Sequence, residues 1–431
     1  MAKLPPGPRS PAALHTLAWW TRAIPFFERA RARYGVRFTM KLLGTPPFVQ
    51  LSDPGEIKEV FQAPPDVLHP GEGARLLEPV VGSNSLILLD EDAHLRQRRL
   101  MLPAFHGESV RALTGLMTAV AEREVASWPR GEPIALHPRM QALTLEIILR
   151  AVFGLDEGPR LDALRARFAG ILDLGGGPFV TAPPLRRDFP GSPWSRFVRL
   201  RGEVDALIFE QIDERRASGE DRDDILALLL RARDDAGAPM TRQELRDELM
   251  TLLVAGHETT ASELAWAIER LLRTPAVLDR LTREVRGGDD AYLLATVNET
   301  LRRRPVLANA EPRLTMREVT IGGWTYPPGA ILGVNAYLVH HDPAIYPDPY
   351  AFRPERWLDQ TPGTYTFLPF GGGRRRCIGA AFATTEMQVV LRALLTTADL
   401  RATGDGRLEL SRRRNITLSP GRGGQAVLAP A

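Results

Sequence analysis

The sequence predicts a mainly α-helical protein with a smaller β-rich portion, organised as one domain over residues 1–431. From about Ala93 onward, a high content of Leu, Ala, Arg and Glu favours helices. One helical pattern, from Thr241 to Arg273, is long enough to cross a whole domain. Pro and Gly become frequent from Pro305 to Gly379, around short β-like segments. We therefore expect β-rich portions near residues 35–90 and 305–340 and helical portions over 93–300 and 350–400.

The composition is that of an ordinary globular protein, with 44% hydrophobic and 25% charged residues. A net charge of only +3 gives no reason to expect a nucleic-acid partner. One cysteine excludes an internal disulfide and suits a reducing cytosol. The apolar stretch from Ala12 to Phe27 is interrupted by His15 and Arg22, and no apolar run is long enough to span a bilayer. We expect a cytoplasmic monomer without a membrane anchor.

The first two thirds of the chain pass from short β-like segments to long helices. Arg37–Leu43 and Pro47–Leu51 are β-rich and bounded by Gly or Pro. The glycines and prolines between residues 175 and 184 predict a loop within the domain. Helices are predicted at Ala121–Trp128, Met140–Phe153, Leu161–Leu174 and Pro193–Ser218.

The longest predicted helix has clear signals at both ends. Thr241 and Glu244 form a T-x-x-E capping box, and Pro275 ends the pattern beyond Arg273. At 1.5 Å per residue the helix would be roughly 50 Å long, which predicts a central position in the fold.

The C-terminal third alternates between strands, loops and one helix. Val319–Tyr326 and Ile331–Val339 have β-like patterns. Ala380–Ala398 predicts the last helix, and Leu408–Leu428 predicts a hairpin.

The ten residues from Phe370 to Gly379 match the pattern F-x-x-G-x-R-x-C-x-G at every specified position. Three glycines, beginning at Gly371, allow positive φ and let the backbone approach a flat cofactor. Cys377 directly precedes a helix, where free N–H groups favour a thiolate. Arg375 is suited to bind a propionate, and Gly379 leaves room beneath a ring. A glycine-rich loop with an inert cysteine is the alternative for a lone C-x-G, but not for the full match.

This pattern resembles the haem-binding loop of the cytochrome P-450 family, and the resemblance covers nearly the whole chain. It implies the family's triangular-prism fold with a long central helix over heme b. Cys377 would then be the axial ligand to iron and O2 a co-substrate. The chain looks like soluble bacterial members, in a branch with fatty-acid and terpenoid oxidisers. Arg374, where the family often has proline, and Arg303 with Arg304, in place of a more apolar stretch, depart from the pattern.

Two upstream motifs gain weight from this resemblance. Glu299 and Arg302 form E-x-x-R on one helix face, and Arg356 follows in a P-E-R-W sequence. Alone, such a pair is usually a solvated surface ion pair, but in the family the three residues form a structural triad beneath the cysteine loop. Thr259 and Glu258, in A-G-H-E-T-T, resemble the family's oxygen-activating threonine and its paired acid. A metal site at His257 and Glu258 is disfavoured because the second histidine of H-E-x-x-H is missing.

Three further basic residues are assigned to the haem propionates by the resemblance. His94 and Arg98 lie one helical turn apart and are similar to the family's contact on an early helix. Arg313, just ahead of a strand, matches a third propionate-binding position. Each would be an ordinary surface cation if it stood alone.

The substrate pocket is expected in segments that vary within the family, namely Gly73–Val81, Phe179–Phe189, Leu252–Ala255, Val306–Ala308 and Thr417–Leu418. Their apolar content predicts a hydrophobic small molecule, a fatty acid first and a terpenoid or steroid-like molecule second. Core packing is the alternative for any single one of them. The expected pocket residues are Leu76, Leu77, Val81, Leu252, Ala255, Val306, Leu307 and Leu418.

The redox partner and three alternative functions complete the expectations. We expect a monooxygenase fed by a separate ferredoxin or flavodoxin with its NAD(P)H-dependent reductase. The basic run Arg374–Arg376 with Arg96, Arg98 and Arg99 is equally compatible with docking of an acidic donor and with solubilising charge. A peroxide-driven peroxygenase and a non-catalytic haem sensor or carrier are the alternatives within the fold. A cysteine hydrolase would need a histidine base near Cys377, which the motif does not supply.

Overall fold

The computed structural model describes residues 4–175, 186–220, 222–404, 407–414 and 416–430. The loop predicted between residues 175 and 184, and most of the variable segment Phe179–Phe189, lie outside these ranges.

Helices form most of the described structure, and their order follows the chain. The first nine are α1 Ala12–Thr21, α2 Ala23–Tyr34, α3 Pro54–Gln62, α4 Pro70–Gly73, α5 Glu78–Val81, α6 Glu91–Met101, α7 Glu108–Ala112, α8 Thr114–Ala126 and α9 Leu136–Phe153. Those that follow are α10 Pro159–Gly175, α11 Pro193–Ser218, α12 Ile225–Arg231, α13 Arg242–Leu272, α14 Pro275–Arg286, α15 Ala291–Arg303, α16 Ala336–His340 and α17 Ala380–Thr397.

Short strands form small sheets near the two ends of the chain. They are β1 Arg37–Met40, β2 Phe48–Leu51, β3 Leu68–His69, β4 Pro133–Ala135, β5 Arg313–Thr315, β6 Val319–Ile321, β7 Trp324–Tyr326, β8 Ile331–Val334, β9 Ala398–Arg401, β10 Ser411–Arg414, β11 Thr417–Pro420 and β12 Gln425–Pro430. The largest sheet has the order β1-β2-β8-β5-β3, with β2 and β8 parallel. A three-stranded sheet, β4-β12-β9, joins the C-terminal end to the middle of the chain.

The long helix α13 is the centre of the fold. Thr241 caps it as predicted: its hydroxyl accepts the Glu244 N–H at 3.1 Å, and the Glu244 carboxylate accepts the Thr241 N–H at 2.6 Å. Most of its side chains are buried, including the bulky Trp266, because it packs against α9, α11, α15 and α17. At 31 residues it is roughly 46 Å long, in keeping with the predicted span.

Several predicted elements differ from those observed. The pattern Ile331–Val339 is a strand only to Val334, because the Asn335 side chain accepts the Leu338 N–H and starts α16. Val319–Tyr326 is a hairpin of two strands, with Gly322 and Gly323 both at positive φ in its turn.

The C-terminal region and the N-terminal third also depart from the prediction. The hairpin expected over Leu408–Leu428 is confined to β10 and β11, and β12 pairs instead with β4 and β9. Helices α1 and α2 were not predicted, and the β-rich portion 35–90 also contains α3, α4 and α5. Within the described ranges, no helix has the length and apolarity needed to cross a membrane.

Candidate active site

The loop that carries Cys377 is closed by its own backbone. The Cys377 N–H donates to the Phe370 carbonyl at 2.9 Å, and the Gly371 N–H donates to the Leu368 carbonyl at 3.1 Å. Gly371 and Gly373 have φ of 67° and 63°, values that side chains with a Cβ rarely adopt. The glycines predicted to shape this loop are therefore required by its conformation.

The same glycines allow close packing on one side and leave space on another. A Cβ at Gly372 would collide with the Phe61 ring, and one at Gly373 would lie 2.8 Å from the Phe61 carbonyl oxygen. A Cβ at Gly379 would meet nothing within 4 Å. The loop is thus pressed against α3 and open at Gly379, beside Cys377.

The Cys377 side chain is exposed on the side of Gly379, but surrounding protein atoms partly shield it from water. This burial raises the pKa of the Cys377 thiol, whereas the Gly379 N–H and the charges of Arg98 and Arg376 lower it. The N–H group at the start of the following helix lowers the pKa of Cys377 as expected, but the effect of burial is larger. A thiolate here would depend on a bound metal, which deprotonates a coordinating thiol.

The structure brings Glu299, Arg302 and Arg356 together. Glu299 and Arg302 are fully buried and form a two-bond pair at 2.8 and 2.9 Å, with Arg356 Nε 3.5 Å from Glu299. Glu299 also accepts the Trp357 indole N–H at 3.0 Å and the Arg353 N–H at 2.9 Å. The cluster fixes the segment around residue 355 on α15, as a structural triad would.

His340 connects this triad to the cysteine loop. Its Nε2 accepts the Leu368 N–H at 2.8 Å, and its Nδ1 lies 3.1 Å from the Arg302 carbonyl oxygen. Burial, with the nearby Arg302 charge, lowers the pKa of His340 to about 3, so the ring is neutral. The histidine therefore donates at Nδ1 and accepts at Nε2, which holds Leu368 in place at the start of the loop.

The middle of α13 carries an exposed strip on an otherwise largely buried helix. Ala255 is exposed and Thr259 is half-buried, although the residues on either side are mostly buried. The Thr259 hydroxyl donates to the Ala255 carbonyl at 2.6 Å. Protein atoms leave this strip of the central helix uncovered, so Thr259 is open to contact with a bound molecule.

Glu258 faces α9 and does not contact the Thr259 hydroxyl. Its carboxylate lies 3.2 Å from His137 Nε2 and accepts the Gln141 amide N–H at 2.7 Å. Burial raises the pKa of Glu258, but His137 and Gln141 outweigh it, so the pKa lies below its usual range. The expected acid–hydroxyl pair is adjacent in sequence, but in this structure its two members are not bonded to each other.

Three predicted propionate ligands lie around Cys377 or near Arg375. Arg98 donates to the Arg376 carbonyl at 2.7 Å, and Arg313 donates to the Glu311 carbonyl at 3.2 Å. Burial lowers the pKa of Arg313 to about 10, so it keeps its charge at neutral pH.

His94 does not carry the charge that the sequence analysis assigned to it. Burial, with the charges of Arg375 and Arg98, lowers the pKa of His94 to about 3. The His94 and Arg98 pair is therefore one neutral donor and one cation, not two cations.

Arg375 contacts protein groups in this structure. Its guanidinium pairs with Asp90 at 2.5 Å and donates to the carbonyls of Leu86 and Leu89. Glu311 lies 3.9 Å away. The guanidinium thus joins the cysteine loop to the residues before α6, and its role toward a propionate stays a prediction.

The expected pocket residues differ in burial. Leu76 is exposed, Leu77 and Leu307 are half-buried, and Ala255 is exposed on α13. The rest are buried within the core, namely Val81, Leu252, Val306 and Leu418.

Sequence reasoning missed the partners that hold these residues. His137 and Gln141 contact Glu258, Asp90 contacts Arg375, and His340 contacts the cysteine loop. A polar residue on an otherwise apolar helix face, such as His137 on α9, was the one signal that could have drawn attention to them.

The residues present fit a haem group. Cys377 is reachable beside the open space at Gly379, and positive-φ glycines shape its loop. Arg98 is half-buried and Arg313 is buried. Within the described ranges, their guanidinium groups donate hydrogen bonds only to backbone carbonyls, so each can also donate to a carboxylate. The fold and the site together fit the class of haem-thiolate proteins.

Comparisons with known proteins agree with this class. The family model described as cytochrome P-450 matches residues 5–423, and the chain belongs to that family, whose members are haem monooxygenases. It is 40% identical over 429 residues to cytochrome P-450 135B1 of Mycobacterium tuberculosis, covering 97% of this chain and 90% of the relative. It is 38% identical over 431 residues to cytochrome P-450 138 of Mycobacterium bovis, covering 99% and 97%.

A solved structure supports the fold independently. The retinoic acid-bound cyanobacterial CYP120A1 superposes with a TM-score of 0.86 over 100% of both chains, at 23% identity. At that identity the likeness shows the fold alone.

Proposed function

We propose that the chain inserts one oxygen atom from O2 into a hydrophobic small molecule, with a fatty acid as the first substrate class and a terpenoid or steroid-like molecule as the second. The observation that carries this proposal is the exposed strip of α13 at Ala255 and Thr259. This strip lies within a largely apolar core and includes the Thr259 hydroxyl, which supports a reaction of a hydrophobic molecule there. The protein would act in the cytoplasm as a monomer.

Each residue of the site has a separate task in this proposal. Cys377 would bind the iron of heme b, and such a thiolate ligand favours cleavage of the O–O bond. His94, Arg98 and Arg313 would hold the two propionates. Glu299, Arg302 and Arg356 would keep the cysteine loop in position without contacting the haem.

Thr259 and Glu258 would deliver protons to the oxygen-binding side of the haem. Thr259 is part of the exposed strip. Glu258, the preceding residue, points to α9 and is held there by His137 and Gln141. For a proton to pass between them, Glu258 must turn from α9 or act through a water molecule. The pair is thus a relay that has to open.

Electrons would come from a separate ferredoxin or flavodoxin with its NAD(P)H-dependent reductase. Arg374 and Arg376 are exposed on the cysteine loop, and their positive charges suit docking of an acidic partner. Arg96 is paired with Asp234 and Glu244, so it contributes less to an attractive surface than its sequence position suggests.

Spectroscopy of the purified protein tests the proposal. The reduced, carbon monoxide-bound protein should show the red-shifted Soret band of a thiolate-ligated haem, and Cys377→Ala should lose it. Fatty acids should produce a substrate-induced spin-state shift, followed by turnover with a ferredoxin and its reductase. Absence of the band from the wild-type protein would overturn the proposal.

A peroxygenase is the second candidate, because Glu258 is bonded to α9 and not to Thr259. Peroxide-driven turnover does not need the relay. Turnover with peroxide alone, unaffected by Thr259→Ala, would favour this candidate.

A further inference from the structure

A buried acid marks the end of the exposed strip on α13. Ala255, Thr259 and Glu263 recur every four residues and so share one face of the helix. Ala255 is exposed, Thr259 is half-buried, and Glu263 is only 3% exposed. Because a helix rises 1.5 Å per residue, Glu263 lies about 6 Å beyond Thr259. The open strip therefore ends where Glu263 is covered.

The segment that covers Glu263 contains Val306. The Val306 N–H donates to Glu263 Oε1 at 3.0 Å, and both residues are buried. The second oxygen, Oε2, is buried without a partner among the described residues. Burial raises the pKa of Glu263 well above its usual range, and the hydrogen bond from the Val306 N–H offsets only part of this effect. Burying an unpaired oxygen is unfavourable, so stability alone gives no reason for a carboxyl group here.

Strand β11 is attached at the same place. The Leu418 N–H donates to the Val306 carbonyl at 2.8 Å. Trp266, one turn beyond Glu263 on α13, donates its indole N–H to the Leu418 carbonyl at 2.9 Å. Two buried hydrogen bonds thus connect α13 to Val306 and to Leu418, and a third joins these two residues, both of which the sequence analysis assigned to the pocket.

We propose that Glu263 is a positioning residue that fixes the segment at Val306, and through it strand β11 at Leu418, against α13 and thereby sets the length of molecule that the pocket accepts. This inference rests on the proposed function, since the Val306 segment and strand β11 matter for selection only if they bound the haem pocket. Trp266 supports the same arrangement from the side of Leu418. Neither residue contacts the reacting atoms in this proposal.

The test compares two substitutions at one position. Glu263→Gln keeps an oxygen for the Val306 N–H and the shape of the side chain, whereas Glu263→Leu leaves that N–H unpaired. The probes are n-alkylimidazoles of increasing chain length, because imidazole binds haem iron whatever the natural substrate is. Dissociation constants are measured from the shift of the Soret band in wild type and in each variant.

We expect the ratio of dissociation constants between the shortest and longest probes to change by about tenfold in Glu263→Leu and by less than about twofold in Glu263→Gln. Trp266→Phe removes the bond to Leu418 while keeping an aromatic ring beneath the Arg304 guanidinium, and it should shift the ratio in the same direction. It decides the question if Glu263→Leu does not fold. Leu271→Ala, a buried change further along α13, is the control for general loosening and should leave the ratio unchanged.

The outcomes separate this inference from the function on which it rests. A wild-type protein without the thiolate band in its carbon monoxide complex would overturn both. With that band present, unchanged ratios in Glu263→Leu and Trp266→Phe would overturn only the role of Glu263. A change in Glu263→Gln as large as that in Glu263→Leu would also overturn it, because the hydrogen bond would then not be the cause.

Discussion

His340 Nε2 accepts the backbone N–H of Leu368 at 2.8 Å, and this bond ties the cysteine loop to α16. Because the other ring nitrogen of His340 faces the Arg302 carbonyl oxygen, the histidine is fixed from both sides. The buried pair of Glu299 and Arg302 thus reaches the loop through one neutral side chain. A displacement of the triad would be transmitted to Leu368, nine residues before the proposed iron ligand.

The first prediction concerns this connection. His340→Leu removes the acceptor and leaves the Leu368 N–H buried and unpaired, which should destabilise the protein by about 1–3 kcal/mol. We expect part of the reduced, carbon monoxide-bound sample to lose the red-shifted Soret band, because Cys377 is then held less firmly. His340→Gln, which can still accept a hydrogen bond, is the control. Equal bands in wild type and His340→Leu would show that the loop is held without this bond.

The second prediction is a pH dependence that arises at Glu248. This fully buried acid on α13 accepts the Leu86 N–H at 2.8 Å and the Gln97 amide at 3.0 Å. Burial raises the pKa of Glu248 to about 8, from an ordinary value of 4.5. Between those two values the folded protein holds a proton that the unfolded chain has released. The free energy of unfolding therefore falls as pH rises through this window and is affected no further above about pH 8.

Urea unfolding of Glu248→Gln measures this contribution. The glutamine has no proton to lose, so the stability of the variant relative to wild type should increase from pH 5 to pH 8. Glu210→Gln, on the exposed face of α11, is the surface control. A difference between Glu248→Gln and wild type that stays constant with pH would contradict the prediction.

Local patterns explain which parts of the fold were predictable. Pro193–Ser218 and the Thr241 cap were located correctly because caps and helical periodicity depend on neighbouring residues. The start of α16 was missed because a single Asn335 side chain overrides a β-like pattern. The N-terminal helix α2 was missed because Pro25 interrupts its first turn and no side chain caps its start, although Gly35 and the basic last turn mark its end.

In the site, too, features encoded by neighbouring residues could be predicted, whereas contacts between residues far apart in the sequence could not. Cys377 was found because its ligand loop is one continuous motif. The partner of Glu258, Gln141, is 117 residues away, and Asp90 is 285 residues from Arg375. No periodicity joins residues at such separations, so only the tertiary structure could bring them together.

The third prediction tests the relay. Thr259→Ala removes the hydroxyl on the open strip, and we expect product formation to fall by roughly 10²-fold because positioned proton donors contribute at that level. Consumption of NAD(P)H should fall much less, so that product formed per NAD(P)H decreases. Thr260→Ala is the control, since Thr260 is buried and bonds back to the Gly256 carbonyl. Equal loss in both variants would indicate a change in helix packing instead.

The last prediction concerns the contact between Gly372 and Phe61. Gly372→Ala places a methyl group against the Phe61 ring, which should push the cysteine loop away from α3 and destabilise the protein by about 1–3 kcal/mol. Phe61→Leu should make room for that methyl group and restore most of the stability. Phe61→Leu alone removes the contact of the ring with the Arg313 guanidinium, 4.8 Å from its centre, so all four proteins of the double-mutant cycle are needed. The free energies of unfolding are measured with urea. If the changes in the two single variants sum to the change in the double variant, the loop does not rest on Phe61.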